Sequence, residues 1–178
     1  MECKSALKET QGNVEEAITH LRKKGLAKAD KKADRQTGEG IVGSYIHQGG
    51  KIGVMIELNC ETDFVANTPD FQGLVRDIAM HIAAAKPRFA TREEVTEEVL
   101  AKEREIFAHQ AKESGKPENI VEKMVTGKME KFYEENCVLE QPFVKDTSVT
   151  IGELIKQKIA LLGENINIRQ FSRFEVNG

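Results

Sequence analysis

Ile52, Val54, Ile56 and Leu58 alternate with Gly53, Met55, Glu57 and Asn59, and this period of two predicts a strand with one buried face. Ile41 to His47 supplies a partner strand across the tip Gln48-Gly49-Gly50-Lys51, so the pair reads as a β-hairpin. The period then changes. Phe71, Leu74, Val75, Ile78 and Ile82 recur at three- and four-residue spacing, which predicts a helix with Thr68 as its N-cap, Pro69 as its first residue and Pro87 closing it.

Upstream, residues 4–25 read as two short helices. Asn13 with Glu16 three residues on fits an N-cap, Val14, Ala17, Ile18 and Leu21 mark one face, and Gly25 is the expected C-cap. The stretch 22–35, RKKGLAKADKKADR, is dense in Lys and Arg with little apolar content and reads as a polar helical extension or linker. Thr37-Gly38-Glu39-Gly40 ends it.

Downstream of Pro87, Thr91 and Glu94 form a capping-box pattern that predicts the start of a long charged helix, stopping near Ser114-Gly115-Lys116-Pro117. A second helix follows with Ile120, Met124, Val125, Met129 and Phe132 as its stripe, giving a solvated amphipathic pair that shields one side of the sheet. Val138 to Val144 is extended but broken by Pro142, which suits an edge or a loop. Thr150 and Glu153 cap a final helix through Leu162, and Gly163-Glu164-Asn165 turns the chain. Ile166 to Val176 is the last strand, with a bulge expected where Arg169, Gln170 and Phe171 interrupt the alternation. Three strands separated by a block of helices predict an α+β fold, in which a three-stranded antiparallel sheet packs with helices.

Length and charge narrow the function. A chain of 178 residues supports one core domain plus a small satellite, and a net charge of −3 argues against a surface built throughout for nucleic acid. No apolar run approaches a membrane span, and Met1-Glu2-Cys3-Lys4 lacks the order of a secretory signal, so a cytoplasmic protein is expected. Cys3, Cys60 and Cys137 are widely separated and odd in number. They read as reduced thiols in packing roles, with an intersubunit bridge as the alternative.

Catalytic signatures are missing. The chain has no GxSxG, no GxxxxGK[ST], and no GxGxxG after a strand; Gly38, Gly40 and Gly43 are too loosely spaced to cradle a phosphate. Its four histidines are scattered, without HExxH or a Cys/His cluster, and His81 beside an apolar stripe reads as a packing residue. No catalytic residue, metal or cofactor is therefore predicted.

One stretch resists a bland reading. CETDFVANTP, residues 60–69, puts Phe64 in the middle of a polar turn. Either Asp63 or Thr62 caps a short turn while Phe64 and Val65 plug the core beneath it, or a rigid strand-to-helix corner presents an apolar wedge beside a carboxylate.

GVMIELNCETDFVAN, residues 53–67, closely resembles the signature of the elongation factor Ts family. The likeness continues through CKSALKETQGNVEEAITHLRKKG at the start, HIAAAKPRF at 81–89, SGKPENIVEKMVTGKMEKF at 114–132, LEQPFVKD at 139–146 and GENINIRQFSRFEV at 163–176, and so spans essentially the whole chain. It implies a guanine-nucleotide exchange factor with no active site of its own, which binds elongation factor Tu in its GDP-bound and nucleotide-free forms. On this resemblance Asp63 and Phe64, flanked by Thr62 and Val65, enter the partner's nucleotide-binding domain near its magnesium site. His47 at the hairpin, and Leu162 and Gly163 before the GENIN turn, make further contacts.

The resemblance also implies a division into a shortened module similar to a ubiquitin-associated fold at 1–25, a basic linker at 26–39 and a core domain at 40–178. Lys4, Lys23 and Lys24 are weaker candidates for contact in the first of these. The chain matches the short form of the family, with one core copy where longer members carry two related halves and a coiled-coil insert, and a homodimer is expected. Neither a membrane nor direct nucleic-acid binding is. The competing reading is an RNA- or ribosome-binding module that uses Lys and Arg of 22–35 on phosphates, although that segment has no aromatics for base stacking.

Overall fold

The computed structural model describes residues 2–113, 115 and 117–177. Its elements run α1 (Glu2–Glu9), α2 (Val14–Asp30), β1 (Glu39–Ile46), β2 (Ile52–Cys60), α3 (Asp63–Ala66), α4 (Pro69–Ala85), α5 (Glu97–Lys112), α6 (Glu118–Asn136), β3 (Pro142–Phe143), β4 (Asp146–Thr150), α7 (Ile151–Leu162) and β5 (Ile166–Glu175). They form two compact units: residues 1–83 with 152–178, and residues 84–151.

The first unit is built on an antiparallel sheet of order β1-β2-β5. The alternation of β2 survives in the fold: Val54, Ile56, Leu58 and Cys60 are buried and Met55 is exposed. Phe71, Leu74, Ile78 and Ile82 of α4 complete the core. Gly43 of β1 lets that helix come close, because a Cβ there would lie 2.2 Å from Val75 Cγ1. The expected bulge sits at Arg169: Glu57 pairs with Gln170 and Leu58 with Ile168, which leaves one residue of β5 unpaired.

Asn13 caps α2 as predicted, its side chain accepting from Glu16 N at 3.2 Å. Gly25 is not the C-cap. The helix continues to Asp30, and Gly25 faces α7, where an added Cβ would sit 3.4 Å from the Cβ of Ala160. A small residue at a helix-helix contact explains this glycine better than a helix end does. Arg22 with Glu153 at 3.2 Å and Asp30 with Lys156 at 2.7 Å hold the same two helices together.

In the second unit α5 and α6 pack against each other as a helical hairpin, the amphipathic pair expected from the sequence. Its base is a cluster of Val95, Phe132 and Cys137, with Phe89, Val99, Leu100 and Tyr133 against it. Thr91 and Glu94 do not open α5. Thr91 precedes and Glu94 ends a 3-10 turn at Arg92–Glu94, the Glu94 carboxylate accepts from Ala90 N at 2.7 Å, and Thr96 is the N-cap of α5. Helix α5 ends at Lys112; of the predicted stop, Ser114 and Lys116 lie outside the described residues. On α6 Val121 is buried with Met129 and Phe132 while Ile120 is exposed, a slip of one position from the predicted stripe. The extended stretch around Pro142 becomes β3, which pairs with β4 in a small second sheet that the sequence pattern had not revealed.

Candidate functional site

Strand β2 ends at Cys60 and α4 begins at Pro69. Between them the single turn α3 carries Phe64 with 81% of its surface exposed. Thr62 is the N-cap of this turn: its backbone is extended, at φ −132° and ψ 154°, and its hydroxyl accepts from Val65 N at 3.4 Å. Asn67 closes the turn on the Asp63 carbonyl, with its backbone N at 3.0 Å and its side-chain amide at 2.9 Å. Thr68 Oγ1 then donates to the Val65 carbonyl at 2.8 Å and accepts from Phe71 N at 3.2 Å, which joins the corner to the first turn of α4.

The corner is fixed from behind. Ala66 is 3% exposed and Cys60 is fully buried, with its thiol donating to the Thr62 carbonyl at 3.1 Å. Burial pushes the Cys60 thiol above its ordinary value, and the nearby Glu164 carboxylate adds to the shift. Phe64 is thus not a core plug; its smaller neighbour Ala66 takes that place. Asp63 is exposed beside the ring, so an apolar face and a carboxylate point out of one rigid turn.

The turn after α7 meets this corner. Glu164 accepts from Glu61 N at 3.1 Å and Thr62 N at 2.9 Å on one oxygen, and from the Thr62 hydroxyl at 2.6 Å on the other. Glu61 returns the contact by accepting from Asn165 N at 2.7 Å. Asn165, 5% exposed, donates its side-chain amide to the carbonyls of Ala33 at 3.0 Å and Arg35 at 2.8 Å. Arg35 lies 3.5 Å from the Glu61 carboxylate, and Lys32 donates to the Gly163 carbonyl. Gly163 adopts φ +84°, which lets the chain turn sharply out of α7.

Of the residues singled out from the sequence, Thr62, Asp63, Phe64 and Val65 share the turn, and Leu162 and Gly163 join them through Glu164. His47 does not. The register pairs Glu39 with Cys60 at one end of the hairpin and Ile46 with Gly53 at the other, so His47 stands at the opposite end of the sheet, about 25 Å away at roughly 3.3 Å per residue. There its Nδ1 lies 3.1 Å from the Tyr45 hydroxyl.

Glu61, Glu164, Asn165, Lys32 and Arg35 were not predicted as parts of the site. A signal existed in the acid and amide directly before an apolar strand, at Glu164 and Asn165, but a polar turn needs no explanation until its partner is known. His81 is fully buried on α4, in keeping with a packing role. Among the described residues no group of three or more His, Cys, Asp or Glu could hold a metal ion, and no helix is long and apolar enough to cross a membrane.

The sequence profile of a family described as elongation factor TS matches residues 2–178. The elongation factor Ts of Moorella thermoacetica is 58% identical over 176 residues, which are 99% of this chain and 87% of that protein. That of Solibacter usitatus is 57% identical over 99% of this chain and 83% of its own length. That of Carboxydothermus hydrogenoformans is 58% identical over 99% and 81%. Agreement at this level over nearly the full length places the chain in the elongation factor Ts family.

Proposed function

We propose that this chain accelerates GDP release from elongation factor Tu by inserting Phe64, with Asp63 beside it, into the nucleotide-binding domain and disturbing its magnesium and phosphate site. Family membership implies nucleotide exchange on elongation factor Tu; the insertion is the finer step. One observation carries it: a large ring, 81% exposed, rides on a turn whose other contacts all fix it in place. An aromatic presented in this way arrives at a partner already ordered, so little conformational entropy is lost on binding.

The energetics follow from linkage. If the chain binds the nucleotide-free partner more tightly than the GDP-bound one, GDP affinity falls by the same factor. Only that difference matters, not total tightness. The chain makes and breaks no covalent bond in this scheme, so it is an exchange factor and not an enzyme in the usual sense. A role in translation supports a cytoplasmic location.

A homodimer completes the reading. The outer face of the sheet exposes Val42, Ile46, Met55 and Phe174 at 65%, 66%, 52% and 64%. In register Gly53 lies between Ile46 and Phe174, and Ser44 and Ser172 flank Met55, while Glu57, hydrogen-bonded to Gln170, stands opposite Val42 and bounds the patch on that side. A contiguous apolar face of this kind marks an interaction surface, and a second copy presents a face of the same shape and chemistry. His47, at the far end of the hairpin, makes a contact separate from the wedge.

The RNA-binding alternative is disfavoured by where the basic residues go. Arg22, Lys28, Lys32 and Arg35 are each engaged by a carboxylate or a carbonyl of this chain. Release of labelled GDP from elongation factor Tu, with and without the chain and with Phe64→Ala, tests the proposal.

A further inference from the structure

We infer that Glu164 is a positioning residue for exchange, setting the angle at which Phe64 meets its partner. This rests on the reading of Phe64 as the inserted group.

A helix of four residues has almost no stability of its own, since nucleation fixes several dihedrals for one hydrogen bond. Its direction is therefore set by its surroundings: Ala66 packs beneath it, Asn67 and Thr68 fix its C-terminal end, and the grip on its N-terminus sets the remainder. Phe64 cannot supply the grip, because its ring is exposed. The Thr62 hydroxyl alone is a poor one, at 3.4 Å from Val65 N. Glu164 supplies three short contacts at once, on Glu61 N, Thr62 N and the Thr62 hydroxyl. By accepting the hydroxyl proton, Glu164 also holds the Thr62 side chain where its oxygen can accept from Val65 N.

The carboxylate is itself held. Gly163 turns the chain just before it, and the next residue, Asn165, is anchored on the Ala33 and Arg35 carbonyls and on Glu61. Both sides of the clamp are thus tied to the segment after α2, Asn165 through backbone carbonyls and Glu61 through the Arg35 side chain. Removing the Glu164 side chain leaves two backbone N–H groups and a hydroxyl without their acceptor while leaving every atom of the ring present.

The test is a double-mutant cycle on kcat/KM for release of labelled GDP from elongation factor Tu, using the full chain. Glu164→Ala alone should lower it by about tenfold, the scale set by stranding part-buried donors. Glu164→Gln, which keeps one acceptor oxygen for the two N–H groups, should recover much of that loss. In the Phe64→Ala background Glu164→Ala should cost less than about twofold more, because a residue that acts through the ring has nothing left to position. Amide hydrogen exchange should show Thr62 and Val65 losing protection in Glu164→Ala while Ile56 and Leu58 keep theirs.

An equal loss in both backgrounds would overturn the inference, as it would show a general structural role. So would full activity of a folded Glu164→Ala protein. If Phe64→Ala exchanges as fast as the parent, the insertion reading itself fails, and the protection of Thr62 and Val65 then reports whether Glu164 still holds the turn. Should Glu164→Ala not fold, the same cycle is run with Glu164→Gln, where a smaller loss confined to the Phe64 background is the supporting result and an additive one the contrary.

Discussion

Phe64 and Ala66 lie two residues apart on a single helical turn, and the fold sends them opposite ways: the ring is 81% exposed and the methyl group 3%. Stability and function therefore separate at this turn. Phe64→Ala should change unfolding free energy by no more than about 0.5 kcal/mol, the range for an exposed site. Ala66→Leu should cost about 1–3 kcal/mol through overpacking. Urea titrations of the two variants check this, and an unfolding of Phe64→Ala comparable to that of Ala66→Leu would contradict it.

The approach of α4 to the sheet depends on Gly43. An added Cβ would lie 2.2 Å from Val75 Cγ1, and valine, stiff at χ1, cannot swing clear. Gly43→Ala should destabilise the first unit by about 1–3 kcal/mol. Because the clash is with one side chain, Val75→Ala should restore part of that loss, and the coupling is read from denaturation of the single and double variants.

Charges on the outer sheet face should separate copies of the chain without unfolding it. Met55→Glu with Phe174→Glu puts two carboxylates where the proposed dimer buries apolar surface. Sedimentation equilibrium should give a dimer for the parent and a monomer for the double variant. A parent that stays monomeric at high concentration contradicts the dimer.

The three cysteines should differ in reactivity. Cys3 is exposed, while Cys60 and Cys137 are buried. A thiol reagent at neutral pH should modify Cys3 first and reach the other two only on unfolding. Cys137 also makes the second unit sensitive to base. Burial raises its thiol from 9.0 to about 11, with the Glu140 carboxylate adding to the shift. A raised value means that the unfolded chain ionises first, so stability is complete below pH 9.0 and declines as pH rises toward about 11. Thermal melts across that window, with Cys137→Ala as the control that flattens them, measure it.

Much of this architecture was legible in the residues, because one-sided burial writes its period directly into β2, α4 and β5. What escaped notice has physical reasons. Gly25 looked like a helix end because glycine is the usual C-cap, whereas here it makes room for Ala160 on α7, a residue far away in sequence. Thr91 and Glu94 have capping chemistry, but the glutamate satisfies Ala90 N just before the turn, and the helix waits for Thr96. The strand β3 is only two residues long, too short to show any period. At the site, the wedge motif stood out because an apolar ring in a polar turn is anomalous. Glu164 did not, since nothing local shows that a glutamate about one hundred residues downstream accepts from Thr62 N and its hydroxyl.

The most direct measurement is the release rate of a fluorescent GDP analogue from elongation factor Tu, alone, with the chain, and with its Asp63→Ala/Phe64→Ala variant. We expect strong acceleration by the parent and a loss of at least about tenfold in the folded variant, since a central aromatic carries about 2 kcal/mol or more on truncation. Equal acceleration by parent and variant would show that exchange proceeds without the exposed ring, and would contradict the insertion of Phe64.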